Sequence, residues 1–338
     1  MKLLSRGKKI GIIGSGGWGT ALAQLLSENG HKATLWCHEE ETAEEINKYH
    51  TNKEFLPDVN LSKSLLAVSA DKKLKGQDIY VIATPTQYIR TVFEKNDFHI
   101  KDKPVINVAK GIEQKTLFRV SQIVKVAAGV SPENYVVLTG PSHAEEVARK
   151  TPTTVVAASD NYSLAKECQD IFNNEKFRVY TSEDVTGCEL GGSLKNVIAI
   201  AAGIIDGLEL GDNTKAALIT RGLAEITRLG VALGAKQETF SGLSGLGDLF
   251  VTCNSRHSRN RSVGEKIGRG KSAEDITKDM KMVAEGVKTT ESAYELGLKH
   301  DVEMPISAQM YKILFEKQKP QEAINELMTR RTKREWWW

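Results

Sequence analysis

Two lysines in this 338-residue chain stand where lysine is costly. Lys195 interrupts the apolar stretch "LKNVIAIAAG", and Lys110 follows an apolar run, between Ala109 and Gly111. Burying an ammonium without partners is expensive, so Lys195 must be paired, deprotonated or turned towards a polar cleft. In a cleft it could exchange a proton with a reacting oxygen. The alternatives are a lysine snorkelling from a helix surface and, for Lys110, an ordinary exposed side chain. Asp248 follows Gly242, Gly245 and Gly247 and has the charge to hold such an amine in place. Ser258, Arg259 and Asn260 then open an amphipathic run. A hydroxyl, a guanidinium and an amide at a helix N-terminus suit a phosphate, with plain solubility as the alternative for the "RHSRNR" cluster. Gly140 and Ser142, in "TGPSHAEE", offer polar contacts ahead of another helix start.

A second constellation is the run "GSGGWG". Gly14, Gly16 and Gly19 form a G-x-G-x-x-G placed directly after an apolar strand and leading into the helical stretch "TALAQLLSENG". In that context Gly14 permits a tight turn, Gly16 lets the backbone approach a pyrophosphate, and Gly19 lets helix and strand pack closely. The helix start supplies amide donors to a dinucleotide. The next strand ends "LWCHEEE", so Cys37 and His38 occupy the place where an acid for a free ribose 2′-hydroxyl is sought, and Glu39 comes just after. Strict NAD preference is therefore not supported. His38 could face the ribose or a 2′-phosphate, or be a solvated surface histidine, which leaves NAD or NADP open.

These residues need a scaffold, and the first half provides one. Short β-branched runs at 9–14, 32–37, 78–85, 104–111, 135–142, 153–159 and 177–181 alternate with helical stretches. That rhythm predicts a doubly wound, Rossmann-like parallel sheet with helices on both faces, since the early runs lack polar alternation. After about Cys188 such runs stop, and 194–208 and 215–234 show helical spacing. The expected division is a dinucleotide-binding domain over 1–188 and an all-α substrate domain over 189–338. With no Pro/Gly/Ser linker between them, a shared interface and a cleft at the strand ends follow.

Composition narrows the function classes. Net charge is +3, and the last ten residues, "TRRTKREWWW", account for it, which leaves a neutral body ill suited to a nucleic-acid backbone. No run approaches the roughly 18 consecutive apolar residues of a membrane span, and the start carries no secretory pattern, so a cytoplasmic protein is expected. Cys37, Cys168, Cys188 and Cys253 lie far apart with no C-x-x-C pair, consistent with buried thiols and no metal site. The basic, Trp-ending tail suggests either a peripheral membrane contact or a disordered or packed terminus.

Taken together, "GSGGWGTALA", "FLPD", "AKGIE", "LTGPSHAEE", "LGGSLKNVIAIAAGIIDGLELGDNTKAALITRGLAE", "GLSGLGDLFVTCNSRHSRN" and "VAEGVKT" resemble the bacterial NAD(P)-dependent sn-glycerol-3-phosphate dehydrogenases over most of residues 8–290. The resemblance implies reversible reduction of dihydroxyacetone phosphate, supplying glycerophospholipid biosynthesis, by a homodimer joined through its helical domain. It implies a dinucleotide site lined by Gly14, Ser15, Gly16, Gly17, Trp18, Gly19, His38, Lys110, Ala144, Arg259, Val283 and Glu285. Lys110, Gly140, Ser142, Lys195, Asp248, Ser258, Arg259 and Asn260 would surround the substrate, with Lys195 exchanging the proton. One departure is His143, where a "GPSFA" form carries Phe. Two rival functions are a related hydroxy-acid dehydrogenase, which needs no phosphate pocket, and a non-catalytic dinucleotide sensor, which has no use for paired lysines.

Overall fold

Along the early strands, successive residues serve opposite faces of one sheet, as the two-residue period of a strand requires. Ile12, Val81, Val136 and Leu138 join an apolar cluster on one side. Ile13, Tyr80, Ile82, Tyr135 and Val137 join another. Both faces are covered, which is why these runs carry no polar alternation.

The computed structural model describes residues 7–278, 284–332 and 334–335. Its strands are β1 (Lys9–Ile13), β2 (Lys32–Trp36), β3 (Leu66–Val68), β4 (Ile79–Ile82), β5 (Val105–Asn107), β6 (Tyr135–Thr139), β7 (Thr153–Ala158) and β8 (Phe177–Ser182). Between them run α1 (Gly17–Glu28), α2 (Glu40–Tyr49), α3 (Thr86–Lys95), α4 (Val120–Ala128), α5 (Ala144–Ala148) and α6 (Tyr162–Phe172). The remainder is helical: α7 (Val185–Gly207), α8 (Gly211–Ala232), α9 (Asp248–Asn254), α10 (Arg259–Gly268), α11 (Ala273–Lys278), α12 (Glu285–Lys299), α13 (Pro305–Phe315) and α14 (Pro320–Met328).

The sheet order is β3-β2-β1-β4-β5-β6-β7-β8. Strand order reverses between β1 and β4, where doubly wound sheets open a ligand crevice at the strand carboxyl ends. The expectation of a parallel sheet needs one correction, because β7 runs antiparallel to β6 while pairing parallel with β8. Residues 140–152 therefore stay over the carboxyl edge instead of crossing a face, which keeps Ser142 and His143 beside the crevice. The sequence reading also lacks β3, a three-residue edge strand.

The centre of the second half is α7, 23 residues long. By length and composition it could cross a membrane, yet its apolar window is wholly buried inside the protein. It is a core helix. Cys188 belongs to a sheet-side cluster and Leu190 to the helical one, so the apolar environment changes hands within the first turns of α7, next to the expected boundary at 188. Four glycines let α10 cross α7 at backbone contact. A Cβ at Gly264 would lie 1.9 Å from the Ile200 carbonyl oxygen, and one at Gly203 2.0 Å from that of Arg261. Gly207 and Gly268 face each other's backbone one turn on. This close crossing fixes where the first turn of α10 sits relative to Lys195. All four cysteines are unpaired and buried.

Candidate active site

At the crevice each motif glycine has a separate local reason. Gly14 has φ +117°, and a Cβ there would lie 2.9 Å from backbone atoms of Ala83 and Thr84, on the far side of the switch point. A Cβ at Gly19 would lie 2.0 Å from the Gly14 carbonyl oxygen, so helix and turn pack as closely as predicted. At Gly16 a Cβ would meet no described atom within 4 Å. Gly16 is the residue before α1, and no side chain caps the helix. Its first amides and the positive end of its dipole thus face a gap that accepts an anion, and a dinucleotide pyrophosphate fits it. Ser15 is buried, and its carbonyl accepts from Thr20 Oγ1 and Asn52 Nδ2. Gly17 approaches the Phe55 carbonyl, and Trp18 packs on the sheet-side cluster with Ala144. His38 is exposed at the end of β2, its ring 6.0 Å from that of Trp36.

Deeper in the cleft the two lysines meet one carboxylate. Lys195 Nζ donates to Asp248 Oδ1 at 2.5 Å and to Thr252 Oγ1 at 2.6 Å. Lys110 Nζ donates to Asp248 Oδ2 at 2.6 Å and to the Gly140 carbonyl at 3.0 Å. Asp248 is 1% exposed and Lys195 6%. Lys110 comes from the loop after β5, Lys195 from α7 and Asp248 from the start of α9, so the cluster joins both halves of the chain. Burial lowers the Lys195 amine to about 8; Asp248 opposes the shift and Lys110 adds to it. Desolvation outweighs the ion pair, a balance the sequence alone leaves open.

The first turn of α10 stands beside this cluster. Ser258 caps the helix, its Oγ accepting from the Arg261 amide at 3.2 Å. Burial pulls the Arg259 guanidinium below its usual range, against Glu145 and Glu285. Asn260 takes part in packing: Nδ2 donates to Asn196 Oδ1 and Oδ1 accepts from the Gly286 amide, which ties α10 to α7 and α12. Ser142 Oγ donates to the Gly140 carbonyl. Glu285, at the start of α12, accepts from the Thr86 amide at 2.9 Å and so links the helical half to the β4–α3 turn. Burial raises its carboxyl to about 7. Val283 lies outside the described residues.

This combination of a dinucleotide turn, an amine pair on one carboxylate and an adjoining cationic helix start can be compared with known proteins. Residues 9–165 match the family model described as NAD-dependent glycerol-3-phosphate dehydrogenase N-terminus, and residues 184–325 match the corresponding C-terminus. The chain belongs to this family. A glycerol-3-phosphate dehydrogenase [NAD(P)+] of Lysinibacillus sphaericus is 50% identical over 97% of this chain and 98% of its own. That of Bacillus subtilis is 48% identical over 96% and 94%. A crystal structure of glycerol-3-phosphate dehydrogenase from Coxiella burnetii superposes with a TM-score of 0.90 at 37% identity, covering 96% of this chain and 99% of that one. A D-mandelate dehydrogenase solved with NADH, at 13% identity and TM-score 0.58, shares the fold alone.

Within this glycerol-3-phosphate dehydrogenase chain, the structure brings together Lys110, Lys195, Asp248, Gly140 and Ser142. Sequence reasoning missed Thr252, whose hydroxyl accepts from Lys195 and donates to the Asp248 carbonyl at 2.6 Å. Its signal was present: Thr252 is four residues after Asp248, hence on the same helix face. Asn196, the partner of Asn260, was equally unread.

Proposed function

We propose that this chain reduces dihydroxyacetone phosphate to sn-glycerol 3-phosphate, reversibly, with NADH or NADPH. Family membership over nearly the whole length supports the reaction, and the single structural observation behind it is the Asp248 carboxylate holding Lys110 and Lys195 from separate halves of the chain. When bound, the reduced nicotinamide supplies the hydride. The amides of α1, with Gly16 open before them, would hold the pyrophosphate.

The residues of this chain carry the rest. Arg259, Ser258 and Asn260, at the start of α10, bind the substrate phosphate; Asn260 offers its backbone amide and the Nδ2 hydrogen that Asn196 leaves unused. As charge builds on the carbonyl oxygen, Lys195 Nζ donates a hydrogen bond and then its proton, and Lys110 adds a second positive charge. An amine near 8 is protonated at neutral pH and still gives up its proton readily. Asp248 and Thr252 fix the direction of the amine.

The division into domains at 1–188 and 189–338, assembly as a homodimer through the helical half, a cytoplasmic location and a role in supplying phospholipid synthesis belong to the same reading. The tail contact with membranes turns on Lys333 and the terminal tryptophans Trp336, Trp337 and Trp338, which lie outside the described residues. The test is direct: the protein is mixed with NADH or NADPH and either dihydroxyacetone phosphate or unphosphorylated dihydroxyacetone, and the absorbance of the reduced ring is followed. Oxidation only with the phosphate ester supports the function, and none with either substrate contradicts it.

A further inference from the structure

His143 lies between the two parts of the substrate site. It precedes α5, in the 140–152 segment that the antiparallel β7 keeps over the carboxyl edge of the sheet. Its ring centroid is 5.9 Å from that of His257, the residue before Ser258 and Arg259. It also feels the charges of Lys195, Lys110, Asp248 and Glu145. Its Nε2 is buried, with no hydrogen-bond partner among the described residues. An unsatisfied buried nitrogen is destabilising, and a bound ligand can relieve that cost.

The chemistry of the site indicates which ligand group belongs there. A three-carbon ketone phosphate has three polar parts. Its phosphate goes to the cationic start of α10 and its carbonyl oxygen to the amines. The remaining hydroxymethyl group must place a proton, and lysine and arginine cannot accept one in a hydrogen bond. Each Asp248 oxygen already holds a lysine, and the Gly140 carbonyl holds Lys110 and Ser142, whose own Oγ keeps a lone pair as the competing acceptor; His143 Nε2 is the buried acceptor with no partner among the described residues. Thr139 Oγ1, another buried atom without a partner, is packed against Gly192 beneath the Lys110 stem.

We infer that His143 is a specificity-determining residue whose Nε2 accepts a hydrogen bond from the terminal hydroxyl of the substrate. The inference rests on the function proposed above. Burial and the two ammonium groups pull the imidazole down to about 4, so it is neutral at working pH and, with its proton on Nδ1, presents an Nε2 lone pair. A phenylalanine at this place fills the same space but reads no hydroxyl.

The experiment compares kcat/KM for dihydroxyacetone phosphate and for hydroxyacetone phosphate, which lacks the terminal hydroxyl, in wild type, His143→Phe, His143→Gln and His143→Asn. A site that hydrogen-bonds a substrate hydroxyl discriminates against the analogue lacking it. Wild type should prefer dihydroxyacetone phosphate, and His143→Phe should lose about 10–100-fold on that substrate while staying within about threefold on the analogue. His143→Gln, whose amide reaches as far as Nε2, should recover part of the preference. His143→Asn, which stops short, should not, and this comparison decides the matter should the Phe variant fail to fold. Equal losses on both substrates, or a preference unchanged in both Phe and Asn variants, overturns the inference while leaving the proposed reaction intact. A wild type inert towards dihydroxyacetone phosphate overturns both.

Discussion

Lys110 and Lys195, 85 positions apart in the chain, are held by the two oxygens of one carboxylate, at 2.6 and 2.5 Å. Two ammonium groups this close repel each other, and Asp248 makes their juxtaposition tolerable. Neither half of the chain contains this arrangement by itself. It forms only when the loop after β5 meets α7 and α9.

The pH dependence of the reaction follows from Lys195. Its amine is lowered from 10.5 to about 8, mainly by burial. Ketone reduction needs the protonated amine, so kcat should be level below about pH 8 and fall above it, approaching tenfold per pH unit. Alcohol oxidation needs the neutral amine and should rise through the same range and then level. Steady-state profiles in both directions check this. Limbs that bend in the same direction would contradict the assignment.

Asp248→Asn probes the clamp. The amide offers one acceptor where the carboxylate offered two, and it no longer opposes the desolvation of Lys195. The alkaline limb of ketone reduction should move below pH 8, and kcat should fall by about 10², the scale of a misplaced reacting group. Dinucleotide affinity should hold. A limb unmoved by the substitution would show that Asp248 does not govern the amine.

The glycines of the first turn should separate stability from binding. Gly19→Ala places a Cβ 2.0 Å from a backbone oxygen and should cost about 1–3 kcal/mol, visible as a lower melting temperature. Gly16→Ala meets no described atom at a φ of −60°, so the melting temperature should stay while dinucleotide titration shows weaker binding. The reverse pattern would contradict the placement of the pyrophosphate.

Glu285 gives a stability prediction for the enzyme without dinucleotide. Its carboxyl is raised from 4.5 to about 7, chiefly by burial. Between those values the folded state binds more protons than the unfolded one, so this group makes stability fall as pH rises through the window and leaves its full penalty above pH 7. The penalty is on the order of 3 kcal/mol. Glu285→Gln should flatten the decline in denaturant titrations from pH 4.5 to 7.5; an unchanged slope would assign the decline to other groups.

Much of this was legible because it is local. The buried strand runs, the glycine turn and the lysines breaking apolar stretches all follow from side-chain chemistry within a few residues. What escaped depends on distant partners. Nothing within 153–158 says that β7 pairs antiparallel with Val137–Thr139, and three residues at 66–68 carry too little pattern to mark an edge strand. The crossing of α7 and α10 rests on Gly203, Gly207, Gly264 and Gly268, whose spacing acquires meaning only when the two helices are paired. Residue type alone marked Asn260 for the phosphate, while its links to Asn196 and Gly286 depend on how α10 meets α7 and α12. The orphaned nitrogen of His143 is likewise a property of what surrounds it.

The proton-donating role of Lys195 is tested most directly by Lys195→Met, which keeps the length of the side chain and removes its charge. Turnover of dihydroxyacetone phosphate should drop by at least about 10², the lower end of what a general acid contributes, while the dissociation constant for NADH or NADPH stays at the wild-type value. Near-normal turnover in that variant would contradict the account.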